Sequence, residues 1–255
     1  MKYRLLQAVN ILALSALAFL KVNDSSISWW YFVAVLFVYS LVLFGGCALI
    51  QWQFFMPVVC KVPTEGKVVY LTFDDGPHPE LTPLILEVLR NHNIKAAFFC
   101  IGKNLSGNEA LVAEMNQHGH VIANHSFEHN FWFDMLPAEK MLQQMQQTDS
   151  VVEAITGQKN KLFRPPYGVM NPNLTKAIKQ GGYTPVGWSI RSMDTVAQSK
   201  DQLIQKVVWN LKPGAIILLH DTISLTAESL DEMIQKIKEK GYSFGDCSQN
   251  LFTQV

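Results

Sequence analysis

The sequence predicts a parallel α/β domain carried behind a two-helix, membrane-spanning hairpin. Three observations carry that expectation. From about Val62 onward, short apolar runs alternate with segments of helical periodicity, the pattern of βα units. Before them lie two long apolar stretches, Leu5 to Leu20 and Trp29 to Ile50, the second without a single charge. Residues able to do chemistry come directly after the apolar runs of the domain, and the carboxyl ends of parallel strands are where such folds gather function.

The chain has 255 residues, enough for one large domain or two small ones. Lys plus Arg and Asp plus Glu both number 21, so there is no broad basic surface for nucleic acid and no acidic tail. The apolar share of 49% is high for a soluble chain, and the excess sits at the N-terminus. We divide the chain into a membrane segment, 1–60, and a catalytic domain, 61–255. The spans are placed at about 5–22 and 29–50, with Trp29, Trp30 and Tyr31 as an interfacial belt. The first segment also reads as a signal peptide, since Lys2 and Arg4 precede it and Ala16-Leu17-Ala18 resembles a cleavage site. Lys2, Arg4, Lys61 and Lys67 flank the hairpin on one side, while Lys21 alone, opposed by Asp24, lies in the connector. This bias puts the domain on the cytoplasmic side of a bacterial-type inner membrane, with an outward-facing domain as the alternative. Cys47, Cys60, Cys100 and Cys247 show no metal-type or disulfide spacing, which fits a reducing compartment.

The elements of the domain are expected in this order. Val68 to Phe73 is a buried strand, and Pro79 to His92 a helix with Ile85, Val88, Leu89 and His92 at helical spacing. Lys95 to Ile101 is the second strand. Ala110 to Gln117 is a helix stopped by Gly119, and Val121 to Ala123 a short strand. Pro137 to Ile155 is a long helix closed by Gly157, and Leu174 to Gln180 one ended by Gly181-Gly182. Thr184 to Ser189 is a strand, Gln202 to Leu211 a helix, Ala215 to Leu219 a strand. A last helix uses Leu230, Met233, Ile234 and Ile237.

The functional signal lies just past the strand ends. Asp74-Asp75 ends the first. Asn124-His125-Ser126-Phe127-Glu128-His129 comes after the third, and the two histidines, four apart, are expected on one face of a helical turn. Phe163-Arg164-Pro165-Pro166-Tyr167-Gly168 comes after the long helix. Trp188 and then Asp194 succeed Thr184 to Gly187, and His220-Asp221 ends the last strand. Two histidines and a carboxylate are a common set for a catalytic zinc with an open position. An isolated HxxxH pair is weak, and a lone Asp-Asp-Gly run is usually a solvated turn; agreement among several strand ends raises both.

These segments resemble the polysaccharide deacetylase family, the NodB-homology domain of carbohydrate esterase family 4, over about residues 66 to 245. Thr72-Phe73-Asp74-Asp75-Gly76-Pro77, His125-Ser126-Phe127-Glu128-His129, Arg164-Pro165-Pro166-Tyr167-Gly168 and Leu218-Leu219-His220-Asp221 are similar to its first, second, third and fifth motifs. The resemblance implies a distorted (β/α) barrel and a metal-dependent carbohydrate N-deacetylase. It implies that Asp75, His125 and His129 hold a divalent metal, zinc first, with cobalt or nickel suiting the same set. It implies Asp74 as general base, His220 as general acid, Arg164 and Asp194 as their supports, the Tyr167 N–H on the oxyanion, and Trp188 and Leu218 lining the acyl pocket. The fourth motif departs from the family: Arg191 stands where an aspartate is common, and Thr195 in place of a second tryptophan.

The implied partners are an N-acetylated amino-sugar glycan or lipid-linked saccharide and the membrane, with no nucleic acid. Peptidoglycan or exported polysaccharide is the alternative substrate of an outward-facing enzyme. A glycan-binding module without activity is the reading of a different class, opposed by the complete set of acid, base and ligand residues. Outside the motifs, Phe131 to Leu136 is an aromatic loop expected beside the site, resting on the bilayer or tucked against the next helix. Phe54 to Val59 is expected to extend the apolar surface past the second span. His92 is expected to be packed, His118 and His120 to flank a turn, and His78 to sit near the site.

Overall fold

The computed structural model describes residues 2–250. Helices α1 (Lys2–Asn23) and α2 (Trp30–Ala48) form an antiparallel pair joined by a tight turn in which Asp24 Oδ1 accepts from the Ser26 amide. Their mean hydropathies, 1.9 and 2.1, are those of helices long and apolar enough to cross a bilayer, and their large apolar side chains stay uncovered. The base of the pair is fastened to the domain. The Met170 amide donates to the Cys47 carbonyl of α2 (3.0 Å), and Tyr3 of α1 packs on Phe54 and Phe55. Phe54, Phe55 and Val58 are therefore core residues, not the surface extension of the span that their composition suggests.

The domain is built on one curled parallel sheet, an open, distorted (β/α) barrel. Strand β1 (Val68–Asp74) lies at its centre. After α3 (Leu81–Asn91), the sheet grows in one direction through β2 (Ala97–Cys100), β3 (Val121–Asn124), β4 (Leu162–Phe163) and β5 (Thr184–Pro185). Helices α4 (Gly102–Leu105), α5 (Glu109–Gln117), α6 (Ala138–Thr156) and α7 (Pro172–Gly181) make the crossovers. The chain then jumps to the other side of β1, where β6 (Ile190–Arg191) and, after α8 (Lys200–Val208), β7 (Ala215–His220) complete the order β5-β4-β3-β2-β1-β7-β6. Helix α9 (Ser224–Glu239) returns the chain to β8 (Ser243–Phe244), which pairs with the start of β1. The carboxyl end of β1 is thus the switch point, where open parallel sheets leave a crevice for ligands.

Side-chain alternation sorts the residues. Val69, Leu71 and Phe73 of β1 join the core beneath α3, α8 and α9, with Phe73 stacked on Phe98 at 5.0 Å. Tyr70, Thr72 and Asp74 point to the opposite face. There Phe99 of β2 and Leu218 of β7 share a second core with α6, α7 and the 50–62 segment. Each large apolar side chain fully buried here contributes about 1.5–3 kcal/mol. The same alternation carries Asp74 and His220, which are register partners, to one face at the ends of adjacent strands.

Two expectations are corrected. The strand expected over 184–189 is shorter: β5 ends at Pro185, Val186 makes only an isolated bridge to Val59, and β6 begins beyond that range at Ile190, while the Val186 and Gly187 carbonyls turn onto the Arg164 guanidinium. The segment from His125 to His129 is a loop, not a helical turn, with Ser126 and His129 both at positive φ (64° and 50°). Strands β4 and β8, two residues each, are too short to show periodicity.

His120, expected merely to flank a turn, is buried at the start of β3. Its Nδ1 accepts from the Ala96 amide (3.1 Å) and its ring stands edge-on to Phe98. Burial, with the nearby His118 and Lys95 charges, pulls its pKa from 6.5 down to about 4. Between those values the unfolded chain holds a proton that the folded chain refuses, so this stabilisation is complete above the unfolded value and is lost as pH falls. Its full size is on the order of 3 kcal/mol. Urea titrations of the full chain in detergent should show stability falling from pH 6.5 to 4, with a shallower fall for His120→Asn. An unchanged slope in the variant would assign the acid sensitivity to other groups.

Candidate active site

The site begins with a backbone feature. Strand β1 delivers Asp74 to the sheet's inner face, and the next residue, Asp75, takes a left-handed conformation (φ 76°). An adjacent residue in continued strand would point away. The turn at Asp75 brings the second carboxylate back to the same cavity. Sequence reasoning assigns this turn to Gly76-Pro77; the structure places it one residue earlier. Its backbone is held by the Asp75 N–H to the Phe99 carbonyl and by Asn104 Nδ2 to the Asp75 carbonyl. Gly76 is required for a different reason: a Cβ there would collide with the Asp221 carboxylate.

Asp74 and Arg164 form the buried centre. Arg164 has no solvent exposure. Its Nη1 donates to Asp74 Oδ1 (2.6 Å) and Thr72 Oγ1 (2.9 Å), Nη2 to the Gly187 carbonyl, and Nε to the Val186 carbonyl, while the guanidinium lies 4.0 Å over the Phe99 ring. Burial raises the Asp74 pKa, and the charge and hydrogen bond of Arg164 oppose it. With Oδ1 fixed, Oδ2 faces the cavity, 3.9 Å from His125 Nε2.

Asp75, His125 and His129 meet opposite Asp74. Their nearest ligand atoms all lie within 4.8 Å of one another, and both imidazole Nε2 atoms stand 3.5 Å from Asp75 Oδ1. His125 Nδ1 donates to the Arg164 carbonyl (2.7 Å), which leaves Nε2 as a lone pair toward Asp75. Burial first, then the neighbouring His129, drives the His125 pKa down to about 3, so the ring is neutral. Asp75 Oδ1 is buried and accepts no hydrogen bond. A carboxylate oxygen that accepts no hydrogen bond and two ring nitrogens converging on it fit a divalent cation in both charge and donor type.

The histidine loop is positioned by Asn124, to which the sequence assigns a place after the third strand but no role. Asn124 Oδ1 accepts from the Ser126 amide, and its Nδ2 donates to the Met145 carbonyl and Asp149 Oδ1. Ser126 Oγ then accepts from the His129 amide. An Asn shortly before a positive-φ residue was the available signal.

His220 faces Asp75 and Asp74 from β7. Asp194 Oδ1 accepts from its ring Nδ1 (2.8 Å), and Oδ2 accepts from its backbone amide and from Thr226 Oγ1. Nε2 is thereby aimed into the cavity, 4.0 Å from Asp75 Oδ2. Burial opposes its charge, but the Asp194 bond and charge, with Asp74 and Asp75, outweigh burial and push the pKa up to about 9. Asp221, in the same motif, lies outside the cavity. It is fully buried, accepts from Thr82 Oγ1 and is pushed up to about 7 by burial.

The cavity, of about 220 Å³, is lined by Asp74, Asp75, His125, His129 and His220 together with Tyr167, Trp188 and Leu218. All ten site residues expected from sequence thus converge, with Arg164 and Asp194 directly behind the lining. Tyr167 sits at φ 57°, its ring against His129 and Phe131, and its amide meets no backbone acceptor among the described residues. Gly168 at φ 71° leaves room for the Trp188 ring, which a Cβ there would strike. His78 caps α3, its Nδ1 accepting from the Glu80 and Leu81 amides, and does not line the cavity. His92 ends α3 and pairs with Asp231. In the loop after His129, Phe133 is buried while Phe131, Trp132 and Met135 project outward.

Comparison with known proteins agrees with this geometry. The model of the family described as polysaccharide deacetylase matches residues 61–186. A peptidoglycan-N-acetylglucosamine deacetylase of Bacillus cereus is 34% identical over 71% of this chain and 67% of its own. The peptidoglycan-N-acetylmuramic acid deacetylase PdaA of Bacillus subtilis is 33% identical over 74% of this chain and 73% of its own. The crystal structure of a pseudoenzyme of carbohydrate esterase family 4 from Bacillus anthracis superposes with a TM-score of 0.71 at 31% identity, covering 76% of this chain and 69% of that one.

Proposed function

The chain belongs to the polysaccharide deacetylase family, and from that membership and the site we propose that it removes N-acetyl or similar N-acyl groups from an amino sugar, in a glycan or lipid-linked saccharide, at a membrane. The observation that carries this reading is the pairing of one free, oriented carboxylate oxygen on Asp74 with the converging donors of Asp75, His125 and His129. The pseudoenzyme among the fold neighbours means that the fold alone does not carry activity. Here the acid, the base and the three candidate ligands are all present and oriented, which favours catalysis over a glycan-binding module.

Asp75, His125 and His129 would hold the metal, zinc before cobalt or nickel. The metal supplies Lewis-acid polarisation of the acyl carbonyl and of water. The rest is done by the protein. Asp74 Oδ2 takes the proton as water adds to the carbonyl carbon. Arg164 keeps Asp74 ionised and holds Oδ1 out of the reaction. The Tyr167 N–H donates to the tetrahedral oxyanion. His220 Nε2 gives its proton to the sugar nitrogen as the C–N bond breaks, and the products are a carboxylic acid and a free amine. Asp194 keeps His220 charged and fixes its rotamer. Trp188 and Leu218 close a pocket suited to a methyl group.

The uncovered helices α1 and α2 support a membrane hairpin. The exposed Phe131 and Trp132 continue from Tyr167 at the mouth of the cavity and would rest on the bilayer. The count of basic residues favours a cytoplasmic domain acting on a carrier-linked amino sugar; the peptidoglycan deacetylases among its relatives favour the outside.

Two outcomes are expected. Asp74→Asn should lower acetate release about 10³-fold or more while zinc stoichiometry stays constant. Near-full activity in that variant would remove Asp74 from the mechanism. Reporters fused to the C-terminus should be active only inside the cell; activity only outside would move the substrate class to cell-wall or exported glycan.

A further inference from the structure

The acids around the cavity are each engaged with other groups, and one cation in its lining is engaged with none of them. Asp74 is matched by Arg164, and Asp194, behind the lining, by His220. Asp75 stands among the candidate metal donors. Arg191 is the remaining charge. It is the last residue of β6 and the register partner of Leu218 on β7. Ile190 is buried in the core, so strand alternation sends Arg191 to the opposite face, where it lines the same cavity. The side chain is exposed, and no hydrogen bond or ion pair holds its guanidinium among the described residues. It is the sole Lys or Arg in the lining, since Arg164 lies behind it. Thr195, also exposed and in the lining, places a hydroxyl in the same wall.

An exposed arginine is ordinarily a solvated surface group. This one differs because it lines a concave site in which no carboxylate pairs with it. A guanidinium presents planar, paired donors that match a carboxylate or a phosphate.

We propose that Arg191 is a specificity residue that binds an anionic group carried by the substrate, a carboxylate or a phosphate ester on or next to the N-acylated sugar. The inference rests on the deacetylase reading for the identity of the sugar, but the binding of the anion does not depend on turnover. A muramic-type lactyl group and the phosphate of a lipid carrier share this chemistry.

The test uses the full chain in detergent, loaded with zinc, and three probes that share an N-acetylglucosamine core. They are the neutral methyl glycoside, N-acetylmuramic acid and N-acetylglucosamine 1-phosphate. Calorimetry should show one anionic probe bound more tightly than the neutral one. Arg191→Gln should reduce that preference about ten-fold, the size expected for a charge-assisted hydrogen bond, and Arg191→Lys should keep part of it. The probe that loses the preference identifies carboxylate or phosphate as the group read. Equal binding of all three by the native chain would overturn the assignment. So would an anion preference that survives Arg191→Gln, because it would belong to the metal site. Acetate release is measured in parallel on neutral, muramic and carrier-linked glycans. No release from any of them, with the Arg191-dependent preference intact, would contradict the deacetylase reading and leave the anion site standing.

Discussion

The buried pair of Arg164 and Asp74 is the constraint on which the rest of the structure depends. Both side chains are almost wholly removed from water, and an unpaired charge there would cost about 3–5 kcal/mol. Satisfying the guanidinium dictates local structure. Thr72 supplies an oxygen from β1, and Val186 and Gly187, just past β5, supply two carbonyls. Phe99 supplies a ring face. The Arg164 carbonyl in turn fixes the tautomer of His125. One residue thereby joins β1, β2, β4, the β5–β6 turn and a candidate metal ligand.

This arrangement gives two adjacent aspartates different work. Asp74 is anchored through one oxygen and left free at the other. Asp75, turned by its left-handed backbone, presents an oxygen that is buried yet accepts no hydrogen bond. Their environments separate them: a fixed guanidinium beside one, two imidazoles beside the other. On the far wall Asp194 holds His220 as Arg164 holds Asp74, and there it also outweighs burial to favour the charged ring. The proposed base, Asp74, and the proposed acid, His220, thus both border the three candidate ligands.

Much of this was legible in the sequence, for physical reasons. Val68–Asp74 and Ala215–His220 are short continuous apolar runs, legible as buried strands, so the polar residues that end them, Asp74 and His220, could be placed at the same end of a sheet before any coordinates. The motif residues collect at strand ends, which locates the site. The features that escaped were set by long-range contacts. The helical turn expected for His125 and His129 is a loop because Asn124, tied to Asp149 of α6, bends it. The strand expected over 184–189 stops at Pro185, and the carbonyls just past it turn to Arg164, far back in the sequence. Phe54 and Phe55 look like span residues by composition, yet their partners, Tyr3 and the domain core, lie far away in sequence.

The hairpin is attached to the domain at its base. The second apolar helix ends against Met170, two residues beyond the Gly168 that seats Trp188, so hairpin and cavity wall are one packed unit. The measurement closest to the central claim is acetate release from a chitooligosaccharide by the purified full chain, before and after removal of divalent metal and after zinc is restored. The account predicts that activity disappears with the metal and returns as about one zinc per chain is taken up. Equal acetate release by the metal-free and zinc-loaded protein would contradict it.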